Sequence, residues 1–95
     1  MALATVKLFG VFRSDTHIAV TELEINKLSE LFPALNAKVE KQYNEKKAAD
    51  PSLPKPDPIR FSDAIVYVNG EKCARKSKTV NQGDEIWIMS PASGG

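Results

Sequence analysis

Hydrophobic positions change their period several times along the chain, and each change predicts an element. The stretch Ala4-Thr5-Val6-Lys7-Leu8-Phe9-Gly10-Val11-Phe12 is rich in β-branched and aromatic residues and predicts a first strand. Arg13 to Thr16 supplies turn residues, after which His17-Ile18-Ala19-Val20 can return as a short antiparallel partner. Thr21-Glu22-Leu23-Glu24 has the form of a capping box, which predicts a helix start. Ile25, Leu28, Phe32 and Leu35 then recur at helical spacing. A proline inside a helix costs about 3 kcal/mol, so Pro33 predicts a break near Leu31–Phe32 and a second helix starting at Pro33. Leu35, Val39 and Tyr43 form the apolar stripe of that second helix, and Lys38, Glu40, Lys41, Glu45, Lys46 and Lys47 its wet side.

From Ala48 to Pro58 the pattern changes, with Pro51, Pro54, Pro56 and Pro58 set among Asp, Ser and Lys, and an extended surface loop is expected. Ala64-Ile65-Val66-Tyr67-Val68 follows as a central strand, closed by the hairpin signal Asn69-Gly70. Glu71 to Lys78 is polar and basic, a short irregular edge. Gln82-Gly83-Asp84 turns the chain into the last strand, Glu85-Ile86-Trp87-Ile88-Met89. The expected fold is α+β: a mixed sheet with helices on one face, first and last strands parallel at its centre.

Alternation within these strands assigns two faces. If Val6, Leu8, Val66, Val68, Ile86 and Ile88 meet the helices, then Phe9, Val11, Ile65, Tyr67, Trp87 and Met89 point the other way. That second set is also apolar and aromatic, with no helix left to cover it. Such a face marks a protein interface, the alternatives being that the Pro-rich loop folds over it or that its residues are scattered.

Composition narrows the chemistry. The chain has 95 residues, 42% hydrophobic and 26% charged, with 13 Lys and Arg against 12 Asp and Glu. That is one globular domain, and the near-balance of charge argues against a nucleic-acid partner or a polybasic membrane anchor. A single cysteine, Cys73, leaves no internal disulfide and suits a reducing cytoplasm. Neither a spanning apolar run nor a signal peptide is evident, so a cytoplasmic protein that binds no membrane is expected. One histidine, His17, and five glycines leave no imidazole pair, no nucleotide-binding glycine loop and no nucleophile elbow, so an enzyme acting alone is not expected.

The chain ends Ser90-Pro91-Ala92-Ser93-Gly94-Gly95, small residues that leave a strand directly. A tail that narrows to two residues without side chains can thread another protein's active site. Its reactive group would be the Gly95 carboxylate, a poor electrophile until a partner activates it. An inert end is the alternative.

Asn69-Gly70, then Val80-x-x-Gly83-Asp84-Glu85-Ile86, then Pro91 and Gly94-Gly95, together resemble the ubiquitin-like MoaD/ThiS sulfur-carrier family. The opening Val6-Lys7-Leu8-Phe9 and Leu28-x-x-Leu31-Phe32-Pro33-Ala34-Leu35 fit the same pattern. The resemblance covers nearly the whole chain apart from a Lys- and Pro-rich stretch at 46–59, which reads as an insertion. It implies a β-grasp domain over residues 1–90 and a diglycine tail over 91–95. It further implies that an E1-like enzyme adenylates Gly95 with ATP and magnesium, and that a sulfurtransferase persulfide converts it to a thiocarboxylate. The carrier then acts as the small subunit of a synthase with a large acceptor subunit, in molybdopterin synthesis first of all. A thiamine-type carrier, or a modifier conjugated to lysine, is the alternative. This chain itself would bind no cofactor and no metal. Gly95 carries the sulfur, Gly94 gives clearance, and Phe9, Val11, Ile65, Tyr67, Trp87, Met89 and Pro91 are the docking candidates. The tail keeps one proline where many molybdopterin-branch tails carry two, and has Ala92 where those have a bulky aliphatic residue.

Three other features carry bland readings. Cys73 stands alone and reads as a packing residue, and His17 reads as a surface residue. Lys72, Arg75, Lys76 and Lys78 make a basic run that reads as a solvated edge, or else meets acidic groups on a partner.

Overall fold

The computed structural model describes residues 2–91. In chain order these form β1 (Ala2–Leu8), α1 (Gly10–Thr16), β2 (Val20–Ile25), α2 (Leu31–Ala49), β3 (Ile65–Val68), β4 (Glu71–Lys72) and β5 (Glu85–Met89). Short 3-10 turns at Leu28–Glu30 and Phe61–Asp63 lead into α2 and β3. The strands lie in the order β2-β1-β5-β3-β4. β1 and β5 run parallel at the centre, and the other neighbours are antiparallel. With α2 packed across one face, this is the mixed α+β sheet that the sequence pattern predicts, in the β-grasp form that the resemblance implies.

The core follows from alternation. Ala2, Ala4, Val6 and Leu8 of β1, Val66 and Val68 of β3, and Ile86 and Ile88 of β5 all point inward and are buried. They meet Leu31, Phe32, Leu35 and Val39 on the stripe of α2. The Asn69-Gly70 turn has φ of 51° and 86°, the two positive values that a two-residue hairpin needs.

The Gly83-Asp84-Glu85 turn has a structural task. Gly83 N donates to Leu3 O at 3.0 Å, and Thr5 N donates to Asp84 O at 2.9 Å, which seats the start of β5 beside β1. Asp84 Oδ2 accepts from Asn81 N at 2.9 Å and its Oδ1 from Asn69 Nδ2 at 3.0 Å. Asn69 Oδ1 in turn accepts from Glu85 N at 2.9 Å, so two turns close on each other.

Several expected boundaries move. The first strand stops at Leu8, because Gly10 at φ 60° turns the chain out of the sheet. Val11 and Phe12, expected at the end of that strand, therefore lie in α1, which also takes up the expected turn at Arg13 to Thr16, and the return strand begins at Val20 rather than His17. Thr21-Glu22-Leu23-Glu24 is strand, not helix cap: Thr21 lies opposite Val6 and Glu24 opposite Leu3. Leu23 and Ile25, two apart, are both buried there, so pairing with β1 outweighs the local capping signal. The cap that does form lies further on, where Glu30 Oε1 accepts from Asn26 N at 2.6 Å. Pro33 breaks nothing. It is the third residue of an unbroken α2, in the first turn, where a backbone N–H has no helical acceptor to lose.

α2 also runs to Ala49, so residues 46–49 are helical and the extended stretch starts after them. That stretch is tied down on α2. Asn36 Nδ2 donates to Ile59 O at 2.8 Å while Asn36 Oδ1 accepts from Ile59 N at 2.9 Å. Tyr43 Oη donates to Leu53 O at 2.9 Å. The Pro-rich loop thus packs on the helical side and leaves the other face of the sheet uncovered.

Candidate functional site

The outward positions of the central strands build one continuous face. Trp87 of β5 is the register partner of Lys7 on one side and Tyr67 on the other, and Met89 is the partner of Ile65. The Trp87 ring meets Phe9 edge-on, centroids 6.0 Å apart at 74°, and lies 6.2 Å from Tyr67. Phe9 is 36% exposed, and Ile65, Tyr67, Trp87 and Met89 are half-buried. Five of the expected docking residues are therefore brought together on one sheet face.

Val11 sits elsewhere. It is 50% exposed on α1, off the sheet, because the strand ends before it. It lines a groove with Phe12, Pro58, Ser90 and Pro91 at the end of the sheet where β5 gives way to the tail. Gly94 and Gly95, like Ala92 and Ser93, lie outside the described residues.

Two charges sit within the aromatic face. Trp87 Nε1 donates to Glu85 Oε2 at 2.5 Å, and Lys7 Nζ lies 3.3 Å from Glu85 Oε1. The indole N–H, then the Lys7 ammonium, hold the Glu85 carboxyl below its ordinary titration range. Asp84 is lowered too, first by the Asn81 amide, then by the Asn69 side chain and by Lys78. Lys7 and Glu85 are members that sequence reasoning missed, although alternation from Phe9 and Trp87 places both outward. Val20, 57% exposed and opposite Lys7, was missed because its strand was set one stretch too early.

The arrangement suits contact with another surface. It offers rigid aromatic area with fixed polar handles, the composition of an interface hot spot. No cluster of three or more His, Cys, Asp and Glu fit to hold a metal occurs among the described residues. Nor is any helix among them long and apolar enough to cross a membrane. Cys73 is half-buried against the core, its backbone N–H donating to Val66 O at 2.8 Å, and His17 is exposed as the left-handed cap of α1.

The ThiS family profile matches residues 6–95. No curated protein matches the sequence significantly. Among solved structures, SAMP1 from Haloferax volcanii superposes with a TM-score of 0.69 at 18% identity, covering 99% of this chain and 100% of that one. A putative molybdopterin converting factor, subunit 1, from Pyrococcus furiosus gives 0.62 at 18% identity, covering 97% and 100%. A chain in the complex of subunits 1 and 2 of the molybdopterin-converting factor from Helicobacter pylori gives 0.54 at 18% identity, covering 98% and 99%.

Proposed function

The chain belongs to the ThiS family of ubiquitin-fold sulfur carriers, and we propose that its Gly95 carboxylate, as the terminal group, carries sulfur as a thiocarboxylate. One observation carries this reading: β5 bears Trp87 at the centre of the open aromatic face and then leads directly towards the tail. A partner seated on that face is thereby close to where the last residues emerge.

An E1-like enzyme, using ATP and magnesium, joins the Gly95 carboxylate to AMP and makes its carbonyl carbon electrophilic. A sulfurtransferase persulfide displaces AMP to give an acyl disulfide, and a second thiol attacks the sulfurtransferase sulfur, forming a disulfide with it and releasing the thiocarboxylate. Sulfur anions are better nucleophiles than carboxylates at neutral pH, so the product can attack an acceptor that is itself activated. Gly94 gives the tail clearance in a narrow channel, and a closed channel keeps water from the acyl-adenylate. The acceptor step falls to a large partner subunit, with molybdopterin synthesis as the first pathway. Support comes from the fold shared with the subunit 1 proteins, one of which is found in a complex with subunit 2.

The match to SAMP1, a small archaeal modifier protein, favours a second reading in which Gly95 ends in an isopeptide bond to lysine. Intact-mass spectrometry separates the two. The chain is incubated with the E1-like enzyme of its own organism, ATP, magnesium and a persulfide donor. Replacement of one oxygen by sulfur, lost when Gly95 is deleted, supports the carrier. Lysine-linked conjugates in cell extract without any thiocarboxylate support the modifier, and no adduct in either assay sinks both.

A further inference from the structure

At the β4 edge of the sheet, Lys72, Arg75 and Lys78 line an open groove of about 590 Å³ together with Cys73, Ser77 and Thr79. We propose that this groove takes an acidic segment of the protein that docks on the aromatic face, and so fixes the direction of docking. The inference rests on the docking reading above.

Four observations support it. First, the cations are available: among the described residues none of the three has a carboxylate within ion-pair distance. Glu71 is the acidic residue in the lining, and Lys78 acts on Asp84 only through space. Second, the groove is held in shape. Lys78 N donates to Arg75 O at 3.1 Å, Ser29 N to Lys76 O at 2.8 Å and Leu28 N to Lys78 O at 2.9 Å, so the loop is pinned to the start of α2. Third, it continues the aromatic face, since Lys72 is the register partner of Tyr67, which is the partner of Trp87.

Fourth, the opposite margin is acidic. Glu22 and Glu24 are exposed on the outward side of β2. The face therefore runs from acidic at β2, through the aromatic stripe, to basic at β4. A partner with the complementary gradient is favoured in one orientation and repelled in the reverse one. None of the polar side chains lining the groove is buried, which suits a string of carboxylates rather than one small anion caged by converging donors.

Two measurements test the proposal on the full chain. Amide shifts are followed by NMR as hexaglutamate peptide, and separately inorganic phosphate, are added at low salt. Hexaglutamate is expected to move Lys72, Cys73, Arg75 and Lys78, and to move none of them in K72E/R75E/K78E, whose melting temperature should match the parent. No movement at those amides overturns the proposal, as does equal movement with phosphate at the same charge concentration, which would assign the groove to a small anion. In the second measurement, affinity for the large subunit of the same organism is compared at low and high salt. The triple variant should bind about tenfold more weakly at low salt, with the difference closing as salt screens it. Equal binding by the parent and the triple variant overturns the groove but leaves the docking face. Failure of the parent chain to bind overturns the docking reading, and the peptide titration alone then decides the groove.

Discussion

Trp87 and Glu85 clasp each other on the outward side of β5, the indole N–H donating to Glu85 Oε2 at 2.5 Å. The clasp fixes the ring's polar edge, and Phe9 and Tyr67 flank it at centroid distances of 6.0 Å and 6.2 Å. A ring held this way has little rotamer freedom to lose when a partner arrives, so more of its contact area is converted into affinity.

Replacing Trp87 by alanine should therefore damage binding more than folding. Loss of a central aromatic anchor costs about 2 kcal/mol or more, roughly thirtyfold in affinity for the large subunit. The melting temperature should shift by a few degrees at most, because the ring lies on the uncovered face and not among the buried residues. Titration calorimetry and thermal melts on the same samples check this. A variant that unfolds early but binds normally would put Trp87 in the core.

The clasp should also be visible in a pH titration. The Trp87 hydrogen bond and Lys7 lower the Glu85 pKa from its ordinary 4.5, so the carboxylate form persists as pH falls into that range. Indole fluorescence should hold steady down to that value and change only below it. In Glu85→Gln the acid-range transition should vanish. A wild-type midpoint above 4.5 would contradict the clasp.

Asp84 predicts a pH-dependent part of stability. Its folded pKa is lowered from 3.8, so the stabilisation is fully present above that value and is lost as pH falls through the folded pKa. The carboxylate is largely solvated, so Asp84→Ala should cost only on the order of 1 kcal/mol at neutral pH. Urea unfolding of both proteins at neutral pH and near pH 2 measures the gap, which should shrink on the acid side. A gap that stays constant with pH would mean that Asp84 contributes through shape alone.

Much of this fold is written in local pattern, and the exceptions have physical causes. Alternation around Val6, Leu8, Ile86 and Ile88 identifies the central strands, because residues buried on one face and half-exposed on the other must alternate. Asn69-Gly70 reads correctly because its positive φ values demand those residue types. The Thr21–Glu24 stretch misleads because T-E-L-E-I satisfies both a helix cap and a period of two, and only the unpaired edge of β1 chooses between them. α1 leaves almost no trace, being seven residues long with no side-chain cap. The aromatic face was legible through Phe9, Tyr67 and Trp87, all named by alternation. Val11 was placed on it in error because the sequence shows no reason to stop the strand before Gly10, whereas the backbone turns there.

The Pro-rich stretch after α2 gives a last prediction, about what it does not do. Asn36 matches both backbone groups of Ile59 with hydrogen bonds of 2.8 and 2.9 Å, and Ile59 is buried beneath that clamp. Removing the amide leaves a partly buried N–H and C=O to find water, at a cost of about 1–2 kcal/mol. Asn36→Ala should melt earlier and be cut faster by protease between Asp50 and Pro58, where the chain has no secondary structure to protect it. Asn36→Asp keeps the acceptor for Ile59 N but loses the donor, and should fall between. Since the loop packs on the helical side, neither change should alter affinity for a protein bound through Trp87. If Asn36→Ala weakened that affinity as much as Trp87→Ala does, while the aromatic face kept its NMR shifts, the loop would itself be part of the interface.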